Sequence, residues 1–293
     1  MTFHLSILIF LPLASALLGA LLPHPLAGRV VLIGTLLTLA YTVAMLIDFP
    51  AHAAGLRYVT DEKWISELGI HYRLGIDGLN LFLVALTAIG WAAATLWAFF
   101  KSWDRPKLFY FHMALAETAV LGAFCAQDLA LFVVFFDLML VPFYFLIGGW
   151  GGEQRVRATT KFVIYTLVGS LLMLAGAVAL GVLSTPEGGH ISFSFADLAH
   201  RHLSTGSQEW IFLLFAAAFL VKAPLFPLHG WVPETYRATP IPVLALLSAV
   251  LSKVGVYGFL RIVLPLLPDA SAHFQELMVA VAVFSIQIGR AHV

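Results

Sequence analysis

The sequence predicts an all-α protein, built as a polytopic bundle of transmembrane helices. Of its 293 residues, 61% are hydrophobic and only 11% are charged, and the mean hydropathy is +0.94. Soluble domains carry about 25% charged residues. The apolar residues also fall into runs of about twenty, which is the length that a helix needs to cross a hydrocarbon core. Both observations indicate a multi-pass protein surrounded by the lipid bilayer.

The apolar runs predict about eight complete spans and the start of a ninth. Their approximate extents are residues 5–22, 30–49, 78–100, 109–126, 129–148, 161–183, 210–231 and 241–264, and the ninth begins near Phe274. The N-terminal run has no Lys or Arg before it and is too long for a signal peptide, so we interpret it as the first span. Trp210 and Trp231, at the ends of the seventh span, are interpreted as interfacial aromatic residues.

The basic residues predict which way the chain crosses the membrane. If the spans alternate, one side receives Arg29, Lys101, Arg105, Lys107, Arg155, Arg157 and Arg237. The opposite side has a short turn without basic residues at Gln127-Asp128 and two longer loops of mixed charge. Because short cytoplasmic loops are enriched in Lys and Arg, the N-terminus is predicted outside. In the longer loops we expect a short hairpin or an interfacial segment over 56–76 and a surface helix over 191–203.

The stretch from Phe219 to Glu234 is not what a simple membrane anchor requires. It reads FLVKAPLFPLHGWVPE, with a lysine inside an apolar run. A lysine at the bilayer centre costs about 3 kcal/mol, so Lys222 is predicted to face protein or water. Pro224 and Pro227 each remove a backbone donor, which predicts a broken helix near 222–227. Many transporters build ion sites at such breaks, so Lys222 is a candidate for ion transfer.

Four ionisable residues lie near the middle of predicted spans: Glu117, Asp137, Lys222 and Lys253. Asp137 is the candidate partner of Lys222, because a nearby ammonium keeps a buried carboxylate charged. A buried pair of this kind is a weak stabilising device but can act as a switch. Polar contacts that only join helices are the alternative, and four midspan charges of both signs favour ion transfer. Pro142 predicts a second kink, just after Asp137.

Further side chains extend the predicted relay. Ser248 and Ser252 precede Lys253 on the same helix, and their hydroxyls can hold water beside the ammonium. His229 follows Pro227 and can exchange a proton near neutral pH. An equal alternative is that His229 only hydrogen-bonds backbone groups freed by the break.

Composition excludes several classes of function. The formal net charge is +0 and no long basic or acidic block is present, so nucleic acid is not an expected partner. The single cysteine, Cys125, cannot by itself hold an iron–sulfur cluster or a structural zinc. The glycine-rich nucleotide-binding motifs are also absent from the sequence. No cofactor or metal is therefore expected in this chain.

Three stretches resemble the antiporter-like membrane subunits of respiratory complex I, the NADH:quinone oxidoreductase. They are HYRLGIDGLNLFLVALT from His71, FFDLMLVPFYFLIGGWGG from Phe135, and LVKAPLFPLHGWVPETYRATPIPVLALLSAVLSKVGVYGFLRI from Leu220. The likeness is strongest to the bacterial subunit M group, the homologues of mitochondrial subunit 4. It implies a non-redox, proton-translocating subunit of the bacterial cytoplasmic membrane. It also implies an antiporter-like fold of two inverted five-helix repeats that follow extra N-terminal helices.

The resemblance assigns a role to each midspan charge. Lys222 matches the lysine of the broken helix, Lys253 the next lysine of the relay, and Glu117 a further carboxylate of the axis. Asp137 stands where most members have the glutamate that pairs with the broken-helix lysine. Because its side chain is one methylene shorter, the contact with Lys222 is expected to be longer, bridged by water, or closed by a small helix shift.

The resemblance also implies partners. They are the other membrane subunits of complex I, including related antiporter-like subunits. NADH, flavin, iron–sulfur clusters and quinone are implied for partner subunits, where quinone reduction would supply the energy. Two alternatives stay open: a subunit of a multisubunit sodium/proton antiporter or membrane-bound hydrogenase, and a structural membrane anchor without transport.

On this basis the chain is predicted to divide into four parts. Residues 1–104 are N-terminal helices with an outer loop, and residues 105–264 are the first five-helix repeat. Residues 265–287 begin a second repeat, most of which the sequence does not contain. The last residues, 288–293, read IGRAHV, resemble a translated sequencing adaptor and are predicted to be a non-native tail.

Overall fold

The computed structural model describes residues 3–50 and 55–290, and most of them are helical. The α-helices are α1 Leu5–Leu21, α2 His24–Asp48, α3 Gly78–Phe99, α4 Pro106–Cys125, α5 Leu129–Leu138, α6 Leu140–Trp150, α7 Arg155–Leu183, α8 Phe195–Ala199, α9 Thr205–Lys222, α10 Val232–Ala238, α11 Ile241–Leu246, α12 Ser252–Gly258, α13 Leu264–Leu266, α14 Pro268–His273 and α15 Gln275–Arg290. Two strands, β1 Arg57–Ile65 and β2 Ile70–Ile76, form an antiparallel hairpin. Residues 291–293 of the predicted tail lie outside the described part.

The predicted transmembrane bundle is confirmed. In the described part of the chain, six helices are long and apolar enough to cross a membrane: Leu26–Asp48, Gly78–Phe99, Pro106–Cys125, Leu129–Trp150, Arg155–Leu183 and Ile241–Leu266. Helix α1 is apolar but shorter, with 17 residues. The predicted span over 210–231 is not a single helix, because α9 ends at Lys222. The protein is therefore embedded in a membrane.

Helix α4 lies at the centre of the bundle. It packs against α1, α2, α3, α5 and α6, and its span is the most buried of the six. Helix α7 packs on α5 and α6 and carries α9 on its other side, while α9 also contacts α12. The helices that carry the predicted relay residues therefore lie near one another: α5 and α9 both pack on α7, and α12 packs on α9.

The basic loops predicted on one side of the membrane do lie together. Lys107 Nζ, at the start of α4, donates to the carbonyl of Ala20 at the end of α1, at 2.9 Å. Trp150 Nε1 donates to the carbonyl of Asp104 at 2.5 Å, and the Gly152 N–H donates to the carbonyl of Ala238 at 2.8 Å. That this end is cytoplasmic stays a prediction.

The opposite end is covered by a layer of short strands, here called the hairpin layer: residues 57–76, 126–128 and 193–195. Its hairpin realises one of the two alternatives expected for residues 56–76. The Gln127 N–H donates to the carbonyl of Arg73 at 2.8 Å, and the Phe195 N–H donates to the carbonyl of Gln127 at 3.1 Å. Helix α8, with five residues, is the only part of the predicted surface helix over 191–203 that forms an α-helix in the described chain.

Asp128 fixes the start of α5 in this layer. Its Oδ1 accepts from the Leu131 N–H at 3.1 Å, a helix cap, and its Oδ2 accepts from the His71 N–H at 3.2 Å. Burial raises the pKa of this carboxyl group, while hydrogen bonds from backbone N–H groups, first that of Leu131 and then that of His71, act in the opposite direction. One side chain therefore joins a transmembrane helix to the hairpin.

An ion pair lies where α3 begins. Arg261 Nη2 donates to Asp77 Oδ2 at 2.6 Å, and Arg261 Nε donates to Tyr257 Oη at 3.2 Å. The other oxygen of Asp77, Oδ1, caps α3 by accepting from the Leu79 and Asn80 N–H groups at 3.0 and 3.2 Å. Tyr257 Oη in turn donates to the buried carbonyl of Phe124 at 3.0 Å. Three transmembrane segments are thus joined at this end by polar groups.

The helical span that contains Pro142 is interrupted at a single residue, Met139, between α5 and α6. Met139 keeps α-helical backbone angles, and its N–H donates to the carbonyl of Phe135 at 3.3 Å. Proline has no N–H to continue the ladder, so the interruption lies within one turn of it, while the kink itself stays a prediction. Asp137 therefore lies at the end of α5, directly before the interruption.

Candidate functional site

Helix α9 breaks where the sequence predicts. It ends at Lys222, and residues 223–231 are not α-helical. Pro224 has no N–H, and the Leu225 N–H donates to the carbonyl of Leu220 at 2.9 Å, one residue further back than in an α-helix. The Phe226 N–H leaves the helix and donates to Ser285 Oγ of α15 at 3.0 Å. The peptide bond between Phe226 and Pro227 is cis.

Trp231 supplies the donor that the break removes. The carbonyl of Val221 would accept from the Leu225 N–H in a regular helix, and it accepts instead from Trp231 Nε1 at 3.0 Å. Trp231 is 2% exposed. The interpretation of Trp231 as an interfacial residue is therefore wrong, because its indole is buried and donates a hydrogen bond to the backbone of the broken helix.

We expect Trp231→Phe to destabilise the break while leaving the helices intact. The substitution keeps an aromatic ring but leaves the buried Val221 carbonyl without its donor, which costs about 1–3 kcal/mol. A lower melting temperature of the purified complex, followed by differential scanning fluorimetry, checks this. Trp210→Phe is the matched control, because Trp210 is 43% exposed. Equal melting temperatures for both variants would contradict the capping role of Trp231.

Lys222 is a buried ammonium at the last position of α9. Its side chain is 3% exposed. The Nζ atom lies 4.7 Å from the centroid of the Phe136 ring on α5. A cation over an aromatic face gains about 2 kcal/mol when both are desolvated, which is less than a buried charge loses on leaving water. Among the described residues, Lys222 is therefore buried over an aromatic ring and without a charged partner in direct contact.

Asp137 is bonded to α7. Its Oδ1 accepts from Ser170 Oγ in a short hydrogen bond. Within the described residues no ion pair of 4.0 Å or less joins Asp137 to Lys222, although the two charges interact electrostatically at longer range. The separation above 4.0 Å fits both a longer contact and one bridged by water, so the choice between these two outcomes stays a prediction.

Lys253 lies on the neighbouring helix and is exposed at the side of the bundle. Its Nζ donates to the carbonyl of Ser248 at 2.8 Å and to Ser252 Oγ at 3.2 Å. The hydroxyl of Ser248 is bound to the carbonyl of Ala245 at 3.2 Å. Ser252 therefore contacts Lys253 directly through its hydroxyl and Ser248 through its backbone carbonyl, while their predicted role in holding water stays a prediction. The π-helical segment Leu247–Leu251 precedes this lysine, and such segments occur often at functional sites.

A glycine brings the helix of Lys253 against the end of α9. A Cβ atom at Gly255 would lie 2.9 Å from the backbone nitrogen of Ala223 and 2.9 Å from the carbonyl oxygen of Phe219. A groove of about 490 Å³ also connects the two places, and it is lined by both Ala223 and Lys253. The residue after Lys222 and the side chain of Lys253 thus border the same space.

Glu117 and His229 stand apart from these contacts. Glu117 is fully buried on α4, its Oε2 accepts from Thr35 Oγ1 of α2 at 3.2 Å, and its Oε1 has no hydrogen-bond partner among the described residues. The ring of His229 lies 6.0 Å from that of Phe226, and its buried Nδ1 likewise finds no partner in the described chain. The structure places neither residue in hydrogen-bond contact with Asp137, Lys222 or Lys253.

Three charges clamp the segment that follows the break. Glu234 of α10 pairs with Lys161 at 3.0 Å and with Arg157 at 3.4 Å, both on α7. The hydrogen bond from Lys161, together with both positive charges, holds the pKa of Glu234 below its usual value. Sequence reasoning missed this clamp, although Arg157 and Lys161 are spaced to share one face of a helix. Helix α7 therefore touches both sides of the site, through Ser170 and through Lys161.

Comparison with known proteins gives the family. Residues 126–292 match the sequence profile described as "NADH:quinone oxidoreductase/Mrp antiporter, TM". The chain is 36% identical over 296 residues to the NADH-quinone oxidoreductase subunit M of Rhodobacter capsulatus, an alignment that covers 95% of this chain and 57% of the relative. It is 35% identical over 290 residues to the chloroplastic NAD(P)H-quinone oxidoreductase chain 4 of Huperzia lucidula, covering 96% of this chain and 57% of the relative.

A solved structure agrees with these sequences. A chain in the structure titled "Respiratory complex I from Thermus thermophilus with bound NADH" superposes with a TM-score of 0.84 at 31% identity, covering 96% of this chain and 57% of that chain. The protein described here belongs to the NADH:quinone oxidoreductase/Mrp antiporter transmembrane family. It spans a little over half the length of the relatives that it matches, at 57% for each of those named above.

Proposed function

We propose that this chain translocates protons across the membrane as the subunit M of an NADH:quinone oxidoreductase. The observation that carries the proposal is Lys222, which is buried at a broken helix and has no charged partner in direct contact in the part of the chain that the structure describes. Burying an ionisable side chain inside a membrane protein costs free energy, so such a residue is expected to have a functional role. The sequence relationship to subunit M of Rhodobacter capsulatus supports the assignment.

Each relay residue has a defined task in this proposal. Asp137 sets how firmly Lys222 holds its proton, because a carboxylate nearby favours the charged ammonium. Lys222 passes the proton to Lys253 by way of water in the groove that both Ala223 and Lys253 line. Ser252 and the backbone of Ser248 orient the receiving ammonium. Glu117 and His229 belong to the same axis in this proposal, reached through water.

The setting of the chain follows from its relatives and is part of the proposal. Other membrane subunits of complex I, among them related antiporter-like subunits, surround it in a bacterial cytoplasmic membrane, with the N-terminus outside. NADH, flavin, iron–sulfur clusters and quinone belong to partner subunits. This chain contributes the proton path and no redox group.

One substitution tests the function. In the whole complex, in inverted membrane vesicles, Lys222→Ala is expected to abolish the proton uptake that accompanies NADH oxidation, followed by quenching of an acridine dye. Lys107→Ala is the control, because Lys107 binds only a backbone carbonyl at the end of the bundle. Undiminished pumping by the assembled Lys222→Ala complex would refute the proposal.

A second candidate is a subunit of a sodium/proton antiporter, which the family description favours because it includes the Mrp antiporters. Sodium-dependent proton exchange in vesicles without an NADH dehydrogenase would select this candidate.

A further inference from the structure

Ser170 occupies the place of the partner expected for Asp137. It lies on α7, is 7% exposed and donates to Asp137 Oδ1. A hydroxyl that donates to a carboxylate makes a charge-assisted hydrogen bond, about twice as strong as a bond between neutral groups. Asp137 therefore has a strong competing interaction for as long as α5 and α7 keep this packing.

Phe136 provides a competing interaction for Lys222. It precedes Asp137 on α5, is 2% exposed, and presents its ring to Lys222 Nζ at 4.7 Å. The ring also packs edge-on against Phe219 of α9, with centroids 5.9 Å apart. The negative face of the ring attracts the ammonium. Both members of the expected ion pair thus have a substitute partner, a hydroxyl for the carboxylate and an aromatic face for the ammonium.

We propose that Ser170 and Phe136 are positioning residues that hold the Asp137–Lys222 pair open. In the open form, which the structure shows, Asp137 is bound to Ser170 and Lys222 lies over Phe136. In the closed form the carboxylate leaves Ser170 and pairs with the ammonium. This inference rests on the proposed function, since an open or closed pair matters only if Lys222 moves protons.

The open form has a direct consequence for proton release. An ammonium paired with a carboxylate keeps its proton more firmly than one without. Ser170 therefore favours transfer from Lys222 to Lys253, and loss of its hydroxyl favours retention. Asp137 and Lys222 are the charged groups that act on each other in the described chain, while Glu117 on α4 and Lys253 on α12 have separate partners.

Helix α7 can link the pair to the far side of the break. Helix α7 carries Ser170, which contacts Asp137, and Lys161, which pairs with Glu234. Between them lies Tyr165, whose hydroxyl would be 3.0 Å from a Cβ atom added at Gly230. A shift of α7 against α5 would change the Ser170 contact and the segment after the break together. Ser170 and the segment after the break are therefore held by one element, α7.

The test compares the pH dependence of NADH-driven proton pumping in the whole complex. In Ser170→Ala the acid limb of the profile is expected to move upward by about one pH unit, which corresponds to a tenfold change in the open–closed equilibrium. Phe136→Leu should move it downward instead, because the ring stabilises only the protonated form of Lys222. Asp137→Glu should move it upward, as Ser170→Ala does, because its longer side chain reaches Lys222 past Ser170. Ser170→Thr keeps the hydroxyl and should restore the original profile.

Two comparisons separate positioning from a general effect on structure. Thr166→Val removes another buried hydroxyl of α7, one that donates to the helix's own Phe162 carbonyl at 2.7 Å, and should leave the profile unchanged. The double variant Ser170→Ala/Asp137→Glu should show no greater shift than Asp137→Glu alone, because both changes close the same pair. Independent structural defects would instead add.

The inference is overturned if Ser170→Ala keeps the original profile, or if its shift adds in full to that of Asp137→Glu. Failure of the proposed function looks different, because Lys222→Ala would then still pump. Suppose that Lys222→Ala abolishes pumping but Ser170→Ala leaves the pH profile unchanged. That result would reject the positioning role of Ser170 and leave the proposed function standing.

Discussion

Replacing Arg261 by methionine is expected to cost about 2–4 kcal/mol of folding free energy. The substitution leaves the Asp77 carboxylate, whose side chain is 21% exposed, without the guanidinium that lies 2.6 Å away. Removing one partner of a buried ion pair costs about 3–5 kcal/mol, and the remaining exposure of Asp77 reduces this figure. Tyr257 loses its second hydrogen-bond partner at the same time. Thermal unfolding in detergent, monitored by circular dichroism, measures the loss.

Two further variants show whether the unpaired charge is the cause. Arg261→Met/Asp77→Asn should regain most of the stability, because asparagine removes the charge and keeps an oxygen to cap α3. Arg105→Met breaks an ion pair whose side chains are 58% and 79% exposed, and should change stability by less than about 1 kcal/mol. A double variant as unstable as Arg261→Met would mean that lost packing, rather than the orphaned charge, dominates.

Replacing Gly69 by alanine is expected to loosen the hairpin layer. Gly69 has a φ of +64°, and an added Cβ would lie 1.9 Å from the carbonyl oxygen of Ile191. The left-handed backbone costs alanine about 1–2 kcal/mol. The contact costs more, because a backbone carbonyl cannot move aside as the end of a side chain can. The expected result is faster cleavage of the 184–203 loop by protease and a lower melting temperature.

Gly188→Ala is a closely matched control for this change. Gly188 also has a positive φ, +74°, but a Cβ there meets nothing within 4 Å. The difference between the two variants therefore reports the contact with Ile191 separately from the backbone strain. If both variants lose the same stability, the close approach of the two loops contributes nothing.

Features written locally in the sequence were predictable. The break after Lys222 follows from two prolines and the cost of a buried lysine, and the interruption at Met139 follows from Pro142. The capping of α3 by Asp77 is equally local, since its partner Asn80 lies within the same turn. In each case the groups that decide the structure lie within a few residues of one another.

Features that depend on which helices are neighbours were not predictable. Ser170 resembles the other hydroxyl residues of α7, such as Thr159 and Thr166, and only the packing of α7 on α5 directs it to Asp137. For the same reason the sequence suggested Lys222 as the candidate partner of Asp137, and it did not predict the hydroxyl of Ser170 that the structure places on this carboxylate. Trp231 had the expected position of an interfacial residue, and its role depends on a carbonyl freed ten residues earlier in the chain.

The hairpin layer fixes one end of α5, and Asp137 lies near the other end. Asp128 and the backbone of residues 126–129 are bonded to the hairpin and to Phe193, whereas the opposite end of α5 stops at the interruption beside Asp137. A helix of this length measures about 15 Å, so a tilt of about 5° moves its far end by about 1 Å. A tilt of α5 about its hairpin end would therefore displace the Asp137 carboxylate most and the hairpin layer least.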